Sequence, residues 1–232
     1  MFVRTVAMDS EIRHFLRKEA RERFLRYVKI NTRSDPESGS HPSTQGQWTL
    51  GKLLREELHT LGLAEVELDG FCYVYGTLPA ADGFKGPAVT FCAHMDTSPS
   101  EEGCDVVPAL HSEYDGGTIR FPGNEGLVLT PAESPELKQF LGETIITSDG
   151  RTLLGADNKA GIAEIMAALS ALRAFDGLCH PEIRIVFTPD EEIGEGADHI
   201  TLRRLGNVGY TVDGGMMGEL EQECFDAWEL SL

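Results

Sequence analysis

Six residues of this chain have the side chains and the placement that metal-assisted hydrolysis requires. Glu191 and Glu192 are adjacent carboxylates in Thr188-Pro189-Asp190-Glu191-Glu192-Ile193-Gly194, directly after the apolar run Ile183-Arg184-Ile185-Val186-Phe187. His94 and Asp96 follow the apolar residues 88–93, Asp157 follows Leu153-Leu154-Gly155-Ala156, and Asp213 follows residues 208–212. Short apolar runs between turn signals read as buried strands. Several strands therefore deliver imidazole or carboxylate groups to their carboxyl ends, where an open α/β sheet builds its site. The chemistry this suggests is a metal-activated water attacking an amide.

Each group also has a structural explanation. His94 and Asp96 stand two apart at a strand end, so both side chains leave the same face. A carboxylate there can hold the imidazole in one tautomer and make it a better ligand, although a lone histidine near a strand end is also a common hydrogen-bonded structural residue. Asp157 precedes a helix beginning near Lys159. It is either that helix's N-cap or a carboxylate whose two oxygens serve two ions, with Asn158 or Lys159 shaping the turn. Glu191 and Glu192 repel one another unless a cation lies near. One can bind a metal while the other, unligated, takes a proton from the attacking water; alternatively they form an acidic first turn after Pro189. Asp213, before Gly214-Gly215, is a turn residue or a terminal ligand. As a set these N and O donors suit zinc, whose catalytic sites keep a position open for water. Two ions about 3.5–4 Å apart would make a co-catalytic pair.

Competing chemistries lack their residues. There is no Gly-x-Ser-x-Gly elbow, no Walker loop and no dinucleotide fingerprint; Gly194-Glu195-Gly196 is too short to count. Cys92 lies inside an apolar strand and reads as an inert core thiol. His14, His41, His59, His111, His180 and His199 lack comparable settings and read as surface or structural.

The elements that must position the six follow from periodicity. Apolar stripes predict helices over residues 10–28, 44–61 (stopped by Gly62) and 159–173, and a further helix over 196–205. Residues 66–68 and 71–78 read as a hairpin turning at Asp69-Gly70. Residues 88–93, 182–188 and 208–212 read as strands. Residues 31–43 form a loop. Residues 97–150 form a long excursion of the kind that is usually functional or disordered. Within it a short helix opens at Ser134-Pro135-Glu136, capped by the serine, and stops at Gly142. Strands alternating with helices predict an α/β fold with a mixed, largely parallel sheet flanked by helices.

Bulk properties narrow the class further. The 232 residues suffice for one large domain or two small ones, with 41% hydrophobic and 25% charged residues, as in ordinary globular proteins. A net charge of −18 argues against a nucleic-acid partner, which needs clustered Lys and Arg. Five cysteines, at 72, 92, 104, 179 and 224, with no Cys-x-x-Cys pair, point to free thiols in a reducing compartment. The first residues lack a signal-peptide pattern, and no apolar run approaches the ~20 residues of a membrane span. A soluble, cytoplasmic protein with no membrane partner is expected.

Several motifs resemble peptidase T, the tripeptide aminopeptidases within the co-catalytic zinc exopeptidases. Ala93-His94-Met95-Asp96-Thr97 is similar to that family's first metal motif. Residues 144–161, through Gly155-Ala156-Asp157-Asn158-Lys159-Ala160-Gly161, are similar to its bridging-aspartate segment. Thr188-Pro189-Asp190-Glu191-Glu192-Ile193-Gly194 and Tyr210-Thr211-Val212-Asp213-Gly214-Gly215 are similar to its base and terminal-ligand motifs, and Glu113-Tyr114-Asp115-Gly116-Gly117 is also peptidase T-like. The resemblance implies that His94 and Asp213 hold one zinc, that Asp157 bridges to a second held by Glu192, that Asp96 orients His94, and that Glu191 is the general base acting on a metal-bridged water. It implies cleavage of short peptides, chiefly tripeptides, and a homodimer formed through a separate lid domain, with a monomer left open for this chain.

Three departures accompany the resemblance. Asn158 stands where Asp is common. Residues 224–232 fit the family poorly. The family's last ligand, a late histidine beyond the lid, has no counterpart here, so the second zinc site lacks its imidazole. Residues 1–215 are thus expected to be the N-terminal part of a catalytic domain and 216–232 the truncated start of a lid and dimerisation domain. The alternatives are an inactive metal-binding fragment and a related zinc dipeptidase or deacylase.

Overall fold

A computed structural model describes residues 9–215 and 218–221. Helix α1, Ser10–Tyr27, begins where the Asp9 carboxylate accepts the Glu11 N–H at 2.8 Å, and it buries Phe24 and Tyr27. Helix α2, Gln45–Thr60, buries Leu50, Leu54 and Leu58 at the expected helical spacing. The chain leaves it through Gly62, whose φ of +73° is open to glycine at little cost. Strands β1 (Ala64–Leu68), β2 (Val74–Leu78) and β3 (Val89–His94) follow. The excursion carries β4 (Pro108–His111), β5 (Ile119–Phe121), β6 (Asn124–Leu129) and β7 (Ile145–Ser148). Helix α3 (Ala156–Ala174), β8 (Ile183–Thr188) and β9 (Val208–Thr211) complete the described elements.

The principal sheet has the order β1-β2-β8-β3-β9. It is mixed, as expected of this α/β chain: β1/β2 and β2/β8 are antiparallel, while β3/β8 and β3/β9 are parallel. Its core joins Ile185 and Phe187 of β8 and Ala93 of β3 to Leu50, Leu54 and Leu58 of α2 and Ile162, Met166 and Leu169 of α3. The register decides the function. His94 pairs with Thr188, and Cys92 pairs with Thr211. The carboxyl ends of β3, β8 and β9 therefore lie level, and the residues just beyond them share one rim.

The excursion is ordered. β4 pairs with β7 and β5 with β6, each antiparallel, and Tyr114, Ile119 and Leu137 form a small core beneath them. The short helix there is a 3-10 turn, Pro135–Phe140; Gly142 follows with φ +77°, but Ser134 makes no side-chain capping bond.

Two further local expectations are corrected. The β1–β2 turn is longer than Asp69-Gly70. The Asp69 carboxylate accepts from the N–H of both Phe71 and Tyr73 at 2.9 Å, and Cys72 takes the positive φ of +69°. An Asx-type bond thus replaces the tight primed turn. Residues 196–205 hold only a 3-10 turn, Leu202–Arg204. The Tyr73 hydroxyl donates to the Gly196 carbonyl and accepts from the His199 N–H, and the Tyr75 hydroxyl accepts from the Thr201 N–H. Backbone groups that a helix would pair internally are bonded to tyrosines instead. The expected domain start at 216–232 lies outside the described residues except for 218–221. Among the described residues no helix is long and apolar enough to cross a membrane.

Candidate active site

His94, at the end of β3, is the centre of the rim. Its side chain is 2% exposed. Nδ1 lies 3.1 Å from the Asp96 carbonyl oxygen and 3.3 Å from Asp96 Oδ1. Nε2 faces the opposite way, 2.9 Å from Asp157 Oδ1, 3.7 Å from Glu191 Oε2 and 3.8 Å from Asp213 Oδ2. A ring whose Nδ1–H is held by acceptors presents its Nε2 lone pair when neutral.

Asp96 is fully buried and does more than orient His94. Its Oδ1 accepts the Glu191 N–H at 3.0 Å and its Oδ2 the Glu192 N–H at 3.1 Å. One carboxylate thus ties the imidazole to the 3-10 turn Glu191–Ile193. Asp157 does not act as the N-cap of α3; Gly155, at φ +73°, holds that position. Asp157 and Asn158 have non-helical backbone angles inside the first turn, their shared peptide bond is cis, and the Asp157 side chain is 63% exposed. Asn158 Nδ2 donates to the Val212 carbonyl at 2.9 Å, which ties the start of α3 to the strand end that carries Asp213. A Cβ on Gly161 would stand 2.3 Å from that same carbonyl, so the close approach requires glycine. Lys159 is buried and donates from Nζ to the Ile30 carbonyl at 2.8 Å. Burial pushes its ammonium down to about 7, against the raising effect of Asp96.

The fold thus brings all six residues to one rim. One donor atom each from His94, Asp157 and Glu192 lies within 4.8 Å of the others. The electrostatics favour a cation. Glu191 is held above the usual carboxylate range by burial, with His94 opposing and Asp213, Asp96 and Asp157 adding to the rise. Burial and then Asp157 raise Glu192; burial also raises Asp213, against its bond from the Gly214 N–H. Burial lowers His94, but its hydrogen bond to Asp96 and the charges of Asp96, Asp213 and Glu191 outweigh that and push it up to about 9. One imidazole nitrogen with converging carboxylate oxygens is a donor set that fits zinc. Beside it lies a cavity of about 320 Å³ lined in part by His94, Glu191, Asp213, Ala197, Ile200 and Cys92. Burial pushes the Cys92 thiol up to about 11, consistent with an inert thiol.

A buried network next to the rim has no sequence signal. His41, read from sequence as surface or structural, packs near Tyr73 and His199, and its Nδ1 lies 3.6 Å from Asp190 Oδ2 and 3.5 Å from Glu195 Oε2. Ser43 and Gln47 reach the same Asp190 carboxylate. These residues come from a polar loop and the start of α2, where neither periodicity nor spacing marks them.

No family model matches the chain. It is 48% identical over 218 residues to peptidase T of Geobacillus kaustophilus (strain HTA426), covering 94% of this chain and 53% of that protein. It is 49% identical over 209 residues to peptidase T of Alkaliphilus oremlandii (strain OhILAs), covering 89% and 51% respectively. The chain therefore spans about half the length of the curated relatives it matches. Among solved structures it resembles a tripeptidase from Staphylococcus aureus, with a TM-score of 0.59 and 25% identity over 86% of this chain and 44% of that one.

Proposed function

Because the curated homologues of this chain are peptidase T, we propose that it carries the metal-binding and general-base half of a zinc aminopeptidase that releases the N-terminal residue from tripeptides. The observation that carries this reading is the convergence on His94 Nε2 of Asp157, Glu191 and Asp213, with Glu192 alongside. In this reading His94 and Asp213 would hold one zinc, and Asp157 and Glu192 would serve a second. Residues 1–215 belong to the catalytic domain and 216–232 lead into a lid and dimerisation domain. The protein acts in the cytoplasm on short peptides.

Zinc, when bound, polarises the scissile carbonyl and makes water a stronger acid. The chain's own residues do the rest. Asp96 keeps the proton on Nδ1, so Nε2 is the ligand atom. Glu191 is a free carboxylate whose proton affinity burial has raised, which suits it to take a proton from water and return it to the leaving amine. Asp96 holds the N–H of Glu191 and so sets where that carboxylate can reach.

The test is hydrolysis of an unblocked tripeptide by zinc-loaded protein, with an N-acetylated tripeptide and Glu191→Gln as comparisons. Release of the N-terminal residue is expected only from the unblocked peptide. Glu191→Gln should lower kcat by about 10²–10⁴-fold while zinc affinity holds. Turnover retained by Glu191→Gln, or equal cleavage of the blocked peptide, would sink the proposal.

A further inference from the structure

Asp190 joins β8 to the two glutamates. It is fully buried, and its backbone is left-handed, with φ 51° and ψ 32°. A non-glycine residue keeps that conformation where its surroundings over-determine it. Here they do. The Ser43 N–H donates to Asp190 Oδ2 at 2.7 Å, and the Ser43 hydroxyl donates to Oδ1. Gln47 Nε2 donates to Oδ1 at 2.6 Å, while Gln47 Oε1 accepts the Asp190 N–H at 3.1 Å. Gln47, itself fully buried, therefore grips Asp190 by both backbone and side chain. With three donors on its carboxylate, Asp190 has its charge met by this network.

The turn that follows is held from the other side. The two oxygens of Asp96 take the N–H groups of Glu191 and Glu192, and the same residue holds His94 Nδ1. The glutamates are thus fixed between an anchor behind them, built on α2, and an anchor in front, built on β3.

We infer that Ser43 and Gln47 are positioning residues for Glu191 and Glu192: the start of α2 clamps Asp190 in its left-handed conformation, and that conformation aims the two glutamates at the rim. The inference rests on the proposed function in giving Glu191 the role of base and Glu192 that of ligand. The clamp itself has a readout that needs neither role.

The experiment uses the full chain carrying Gln47→Leu, which keeps the size but removes both bonds, with Ser43→Ala and its rescue Ser43→Thr. Amide hydrogen exchange at Glu191 and Glu192, zinc affinity by competition with a chelator, and kcat and KM on a tripeptide are compared with the parent. In Gln47→Leu the two amides should lose at least about tenfold protection while those of β3 and β8 keep theirs. Zinc affinity should fall about 10–100-fold, and kcat should fall with KM little changed. Ser43→Ala should move in the same direction and Ser43→Thr should return toward the parent.

Asp190→Gly provides a second route should Gln47→Leu fail to fold. It permits the left-handed backbone but offers no carboxylate to the clamp, and should show the same loss. Unchanged protection of Glu191 and Glu192 in a folded variant would overturn the inference. A parent that binds zinc without cleaving tripeptides would overturn the proposed function instead, and the exchange comparison would still decide the clamp.

Discussion

His94 works through two nitrogens with different duties, and that division gives a pH dependence of definite sign. Asp96 engages Nδ1, and Nε2 points into a set of carboxylates whose charge more than offsets burial, pushing the ring up to about 9. In the proposed function, a zinc ion held by His94 would take the place of the proton on Nε2. Its apparent affinity should therefore climb by about tenfold per pH unit and level off above about pH 9, with proton release on binding. Calorimetry near neutral pH, in buffers of different ionisation enthalpy, measures that release; binding without it would show that Nε2 is already free. At this scale much was legible in the sequence. His94, Asp96, Asp157, Glu191, Glu192 and Asp213 each stand next to an apolar run, which marks a strand end or helix start. Ser43 and Gln47 were not legible, because their importance lies in a partner 147 and 143 positions away.

Elements show where local pattern yields to distant hydrogen bonds. Residues 196–205 have the composition of a helix, yet the hydroxyls of Tyr73, just before β2, and Tyr75, on β2, take backbone groups that a helix would pair within itself. Tyr73→Phe should therefore leave the partly buried Gly196 carbonyl and His199 N–H without their partner. It should cost about 0.5–1.5 kcal/mol and speed exchange of the His199 amide while β2 stays protected. Denaturant unfolding and hydrogen exchange would measure both, and a neutral Tyr73→Phe would show that water replaces the hydroxyl without loss. The β1–β2 turn has the same origin: Asp69 bonds forward to Tyr73, so the Asp-Gly signal marked the turn but not its length.

For the whole molecule, the sheet has a consequence that no single element carries. Among the described residues β9 pairs only with β3, and Val208 and Tyr210 on it are 41% and 43% exposed. An exposed apolar edge strand invites pairing with another chain, while a net charge of −18 opposes it over distances that salt shortens. Self-association of this chain should increase with ionic strength, and Val208→Lys should reduce it without changing zinc affinity; sedimentation velocity across a salt series tests both. Association that is indifferent to salt and to Val208→Lys would place the contact elsewhere. The same sheet separates what sequence could and could not determine. The strands near 88–93, 182–188 and 208–212, the helices near 10–28, 44–61 and 159–173, the α/β class and the six rim residues follow from apolar periodicity and from the chemistry of residues next to it, both local properties of the chain; the four strands of the excursion do not. The level strand ends, the clamp on Asp190 and the length of the 196–205 connection depended on register and on which buried polar groups found partners. Those are settled only when distant segments compete for the same hydrogen bonds, so only the tertiary structure decided them.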